Sequence, residues 1–198
     1  MPENHYRACL YTLFDMKRKG NRVLRTSKYI IYKQTLIKPS DHFWTFVGAF
    51  IGISAIGIIQ GSDFLREDNI FLIGSFGASA VLVFGASSSP LAQPRNLILG
   101  HLISAFIGVS VHQFFPDMLW LASALAVALS IVAMQITKSM HPPGGATALI
   151  ANIGSEKIKS LGYYFVFSPV LSGVLILFAT ALVINNIPSK RSYPCRLH

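Results

Sequence analysis

The stretch Met140-His141-Pro142-Pro143-Gly144-Gly145-Ala146-Thr147-Ala148-Leu149 holds the residue types best suited to ligand chemistry in this chain. Pro142 and Pro143 lack amide donors, and each disfavours helix in the residue before it. The preceding helix is therefore expected to end near Met140, with His141 extended. Gly144 and Gly145 admit backbone angles that other residues avoid, and they would bring bare N–H groups to one point. A short helix of small residues should follow over 146–153. The N-terminus of such a helix presents donors and a positive dipole end to an anion. That is worth roughly 0.3–2 kcal/mol to a charge, far below the cost of dehydrating an ion, so other groups must converge. The candidates are His141, Gly144, Gly145 and Thr147 from this stretch, with Ser75, Ser79, Gln93, Arg95 and Asn152 from elsewhere. The competing reading is a tight turn in which His141 bonds a neighbouring carbonyl and the motif only packs helices.

Other chemistries find little support. His101 and His112 are eleven residues apart on one helix face, about 16 Å along the axis, so they cannot share a metal. Each reads first as a packed or interfacial histidine. No His-Glu-x-x-His occurs, and no acidic residue stands mid-span, so an enzyme is not expected and neither is a metal or cofactor. The missing carboxylates also argue against a proton-coupled pump of the Asp or Glu kind. Cys9 and Cys195, at opposite ends, form no framework.

The elements that must position these residues are legible from charge. Of 198 residues, 52% are hydrophobic and 13% charged, against about 25% charged in an ordinary soluble domain. Asp, Glu, Lys and Arg are absent from 42–62, 69–94, 96–116, 118–137, 139–155 and 160–189. A spanning helix needs about 20 apolar residues, and five of these six runs are long enough. The pattern excludes a soluble enzyme, a disulfide scaffold and a disordered chain. It predicts an all-α, polytopic transmembrane bundle with spans near 42–60, 69–86, 96–115, 118–137 and 161–187. Asp41 could cap the first. The Ser87–Asn96 connection, with Pro90 and Pro94, should be irregular.

Nine of the 17 Lys and Arg residues precede residue 41. A basic segment beside a first span stays on the cytoplasmic side, so the N-terminus is expected inside, attracted to anionic headgroups and not to nucleic acid. Residues 5–19 could form a short interfacial helix. The chain divides into a basic arm over 1–40, a membrane domain over 41–189 and a basic tail over 190–198. A homo-oligomer is compatible with this design.

A faint repeat relates Gly77-Ala78-Ser79-Ala80-Val81-Leu82 to Gly145-Ala146-Thr147-Ala148-Leu149-Ile150. It suggests two related halves, about 41–115 and 118–187, each built as span, short Gly-rich element, span. If both short elements cross, the halves are inverted and both termini are cytoplasmic. If the second only re-enters, the C-terminus lies outside. The first arrangement is the expectation adopted.

His141-Pro142-Pro143-Gly144-Gly145-Ala146-Thr147-Ala148 resembles the signature of the HPP family of integral membrane proteins. Gly74-Ser75-Phe76-Gly77-Ala78-Ser79-Ala80, Ser89-Pro90-Leu91-Ala92-Gln93-Pro94-Arg95-Asn96 and Gly100-His101 resemble it too, together covering about 41–187. A departure stands at Ser87, where a further proline is expected. The resemblance makes His101 a better functional candidate than His112. It implies Pro142, Pro143, Gly77, Pro90 and Pro94 as structural positions. It also implies a bacterial inner or organellar membrane, and transport of a small anion, nitrite above all. The alternatives are a non-transporting scaffold or partner subunit and a channel for a small neutral solute.

Overall fold

The structure is a computed structural model that describes residues 39–60 and 74–195. The proposed interfacial helix at 5–19 and Cys9 lie outside the described residues. Among those described, every regular element is helical. They are α1 (Pro39–Gln60), α2 (Gly74–Gly85), a single 3-10 turn (Pro90–Ala92), α3 (Pro94–Phe114), α4 (Leu119–Ile136), α5 (Pro142–Ile153), a short α6 (Glu156–Ser160) and α7 (Val166–Ile184). Four stretches are long and apolar enough to cross a membrane: Ser40–Ile59, Pro94–Phe114, Leu119–Ile136 and Val166–Ile184. α2 and α5 are shorter apolar helices.

Proline stands first in four of these elements. Pro94 opens α3 and Pro142 opens α5, where the missing N–H would have had no helical partner and the fixed φ suits a first turn. The His-Pro-Pro-Gly-Gly stretch is therefore not a turn leading into a helix at Ala146. It is the first turn of α5, capped by an extended His141 (φ −140°, ψ 99°). The preceding helix also stops earlier than Met140. α4 ends at Ile136, and Lys138 takes the left-handed φ of 53° that turns the chain back. Asp41 lies in the first turn of α1 and is not its cap. Span five is shorter than 161–187 and is broken at Ser168 (φ −136°, ψ 120°), ahead of Pro169.

The centre of the bundle is α3 packed on α5 and α4, with α4 also against α5. Small residues permit that approach. A Cβ added to Gly108 would meet the Ala148 carbonyl oxygen at 2.6 Å, and one on Gly144 would meet the Gly100 carbonyl oxygen at 2.7 Å. Gly100 is equally confined, by His141 and the Ser139 carbonyl. Gly100, Ser104 and Gly108 thus form a small-residue seam along α3, the device by which membrane helices pack without a hydrophobic driving force. Gly144 serves closeness of packing, not an unusual φ.

The main apolar cluster joins Ile56, Phe76, Phe84, Val174 and Leu177 of α1, α2 and α7, and Phe165 just before α7, to Leu97, Ala105 and Val109 of α3. Large apolar side chains also face outward, with Ile58, Phe114 and Trp120 each at least three-quarters exposed. An apolar exterior around a core containing buried Ser, Thr, His and Asn is the pattern of a bundle immersed in lipid.

The ends of the charge-free runs are tied down by hydrogen bonds. The Tyr193 hydroxyl donates to the Ala92 carbonyl (2.7 Å), the Cys195 amide donates to Gln93 Oε1 (2.9 Å), and Arg191 donates to Thr45 Oγ1 (3.1 Å). Residues 191–195 are packed onto the membrane domain. Burial pushes the Tyr193 hydroxyl well above its ordinary pKa, so it stays a donor.

Candidate functional site

Five side chains from α2, α3 and the start of α5 meet in the interior: Ser75, Ser79, His101, His141 and Thr147, none more than 2% exposed. His101, on α3, is their centre. Its Nε2 lies 2.7 Å from Ser79 Oγ, and its Nδ1 lies 2.7 Å from Thr147 Oγ1. Ser79 Oγ is also 2.9 Å from His141 Nε2, and Thr147 Oγ1 is 2.6 Å from Ser75 Oγ. His141 Nδ1 contacts the Leu91 carbonyl oxygen at 2.8 Å. The two imidazoles lie 5.0 Å apart by ring centroids, and the Phe76 ring flanks His101 at 5.6 Å.

Ser79 and Thr147 occupy equivalent positions in the internal repeat. Each short helix therefore contributes one hydroxyl, and the two hydroxyls hold the two nitrogens of one histidine. Local structure explains why they reach it. Gly144 brings α5 against α3, and the extended His141 is directed by the Leu91 carbonyl in the Ser87–Gln93 connection. That connection is itself ordered: Ser89 Oγ accepts from the Leu91 amide, and Gln93 Nε2 donates to the Ser87 and Ser89 carbonyls.

Ser75, Ser79, His141 and Thr147 are thus brought together with His101. The remaining candidates stand apart. Gln93 spends its amide on the connection and the Cys195 amide. Arg95 is exposed and donates to the Thr137 carbonyl (2.8 Å), while Asn96 donates to the Met140 carbonyl (2.8 Å). These two residues clamp the α4–α5 connection that carries His141. Asn152 lies toward the other end of α5, donating to the Ala148 and Gly108 carbonyls; its buried Oδ1 has no partner among the described residues. The Gly144 amide donates to the His141 carbonyl (2.8 Å), so it is not a bare donor. A Cβ on Gly145 would come no nearer than 3.9 Å to any neighbour, and one on Gly77 would meet nothing within 4 Å.

His101 was the residue least visible as central. A mid-helix histidine reads as packing until its two partners are known. The clue available was the repeat, which marks Ser79 and Thr147 as paired positions. Among the described residues, no group of three His, Cys, Asp or Glu side chains could hold a metal ion.

The transmembrane region that defines the HPP family matches residues 34–194, which takes in every element described above. The chain belongs to the HPP family. Two transmembrane proteins of Dictyostelium discoideum are similar to it, one 51% and the other 48% identical over 154 residues, or 76% of this chain. The chain spans about half the length of these relatives, 54% and 49% respectively. No solved structure matches it. This HPP chain is an integral membrane protein, and the signature for which the family is named builds the first turn of α5 and the terminal histidine of the cluster.

Proposed function

We propose that this HPP protein transports a small inorganic anion, nitrite above all, and is not an enzyme. The observation that carries the reading is the clamping of both nitrogens of His101 by hydroxyls from two short helices, inside charge-free spans. Packing alone does not call for it: interior side-chain polar groups are costly in a membrane and mark pathways for solutes or protons. Short helices meeting mid-bundle are also where transporter folds place their sites. The solute would exchange into this network at Ser75, Thr147, Ser79 and the two imidazoles. Arg95 and Gln93 have a positioning role, because their donors already serve backbone carbonyls. The basic arm lies on the cytoplasmic side of an organellar or bacterial inner membrane, against anionic headgroups.

The test is nitrite flux into proteoliposomes holding the full chain, at alkaline pH to suppress leakage of nitrous acid, beside nitrate, chloride, formate and urea. Saturable entry selective for nitrite is the expected result. Entry of urea alone would reassign the protein to a neutral solute. No entry of any solute, from folded protein, would leave it a scaffold or partner subunit.

A further inference from the structure

The hydrogen bonds of the cluster have only one consistent direction when both rings are neutral. The Leu91 carbonyl can only accept, so the hydrogen of His141 is on Nδ1. Nε2 of the neutral ring then accepts, and Ser79 Oγ must donate to it. With its hydrogen so used, Ser79 accepts from His101 Nε2–H. That leaves His101 Nδ1 to accept from the Thr147 hydroxyl, which in turn accepts from Ser75. The order Ser75, Thr147, His101, Ser79, His141 is a continuous chain of donors, each pointing to the next.

We propose that these five side chains form a proton relay, so that the anion crosses together with one proton; the cotransport clause rests on the transport reading above. A proton delivered to Ser75 Oγ by a weak acid or hydronium displaces the Ser75 hydrogen to Thr147, and the Thr147 hydrogen to His101 Nδ1. His101 then passes its Nε2 hydrogen to Ser79, and Ser79 passes its own to His141 Nε2. One O–H or N–H bond forms for each that breaks, and the net product is a His141 imidazolium with every bond direction among the five side chains reversed, His141 Nδ1–H still donating to Leu91. The Leu91 carbonyl cannot take a proton onward, so the relay fills and empties at Ser75, and the proton crosses with the anion when that end opens to the opposite side before release. Two longer contacts allow the hydroxyls to turn: Ser79 to the Ser75 carbonyl (3.3 Å) and Thr147 to the Pro143 carbonyl (3.5 Å).

The charge inventory explains why an anion needs this proton. Among the described residues, the groups against the two rings are Ser79 and Phe76 from α2, Thr147 from α5 and the Leu91 carbonyl, with Ser75 of α2 behind Thr147, and none of them is charged. α4 offers Met134 to Ser104. Arg95 and Lys138 lie exposed at the chain ends of α3 and α4. The counter-charge for a buried anion must therefore arrive, and a protonated imidazole supplies it without any fixed Lys or Arg. The pair then crosses with no net charge.

Two measurements on the intact chain separate this proposal from the transport reading. The first follows nitrite entry and lumenal pH together in proteoliposomes, with protein-free vesicles setting the nitrous acid leak and valinomycin clamping the potential. Expected are lumenal acidification near one proton per nitrite and an initial rate unmoved by the potential. Thr147→Val should lower protein-dependent entry at least tenfold, and Thr147→Ser should restore it. Nitrite entry that is driven by the potential and leaves the lumenal pH unchanged overturns cotransport while the transport reading stands. Absence of nitrite entry overturns the transport reading, and cotransport with it. The second is nitrogen-15 NMR of histidine-labelled wild-type protein, which needs neither flux nor variants. Hydrogen on His141 Nδ1 and His101 Nε2, with both rings responding to a single protonation, is expected. Opposite tautomers, or rings that titrate independently, overturn the relay.

Discussion

Two polar regions of this bundle use their side chains in opposite ways. In the interior, Ser75, Thr147, His101, Ser79 and His141 bond chiefly to one another. At the end where α3 begins, Gln93, Arg95, Asn96 and Tyr193 bond to carbonyls of Ser87, Ser89, Thr137, Met140 and Ala92. Side chain to side chain bonds are only about 10–15% of those in folded proteins, whereas bonds from side chain to backbone are the ordinary way to fix a loop. The outer region therefore holds a connection in place, and the inner one is held in place by it. Leu91 joins them, since its amide is ordered by Ser89 and its carbonyl orients His141.

The contrast can be broken most severely by closing the seam beneath the inner region. Gly144→Ala places a methyl 2.7 Å from the Gly100 carbonyl oxygen and 2.8 Å from Ser104 Oγ. A loss of about 1–3 kcal/mol is expected, read as a lower melting temperature in detergent, together with loss of flux. Thr147→Val keeps the shape but leaves His101 Nδ1 and the Ser75 hydroxyl without their partner. It should cost about 1–3 kcal/mol by the same assay and lower flux at least tenfold. In the outer region, Tyr193→Phe removes one bond to a backbone carbonyl; about 0.5–1.5 kcal/mol of stability should go, with nitrite selectivity unchanged. Arg95→Ala is smaller again, below about 0.5 kcal/mol, because the bond is exposed. Its flux should stay within twofold of the parent. The adjacent glycines sharpen the point: Gly145→Ala makes only an ordinary van der Waals contact with Val127 at 3.9 Å and should leave stability unchanged or raise it by about 0.5–1 kcal/mol.

How far such distinctions were legible beforehand differs by residue. Charge-free runs located four of the five expected spans, because a bilayer of fixed thickness imposes length and apolarity on any helix that crosses it; the one expected over 69–86 is described only as the shorter helix Gly74–Gly85. The helix break at His141 was legible in the two prolines, and its extended backbone was found as expected. The fate of Gly144 and Gly145 was not. Both look like residues chosen for unusual φ, yet both are helical, and only the position of α3 makes one indispensable and the other free. Arg95 and Gln93 fall in the same class. They stood as candidates to complete the matching element from the other half, and their donors reach carbonyls that no local pattern reveals.

By itself, then, the sequence determined the class of molecule: an all-helical membrane chain, its charge-free spans, two Gly-rich short elements and the family signature. Those features depend on composition and local backbone preference, which act over a few residues at a time. The tertiary structure decided that a mid-helix histidine, His101, is the hub, with one hydroxyl from each short helix on its two nitrogens. Hydrogen bonds between residues 22, 46 and 62 positions apart are set by how helices approach, and the small residues of the α3 seam fix that approach.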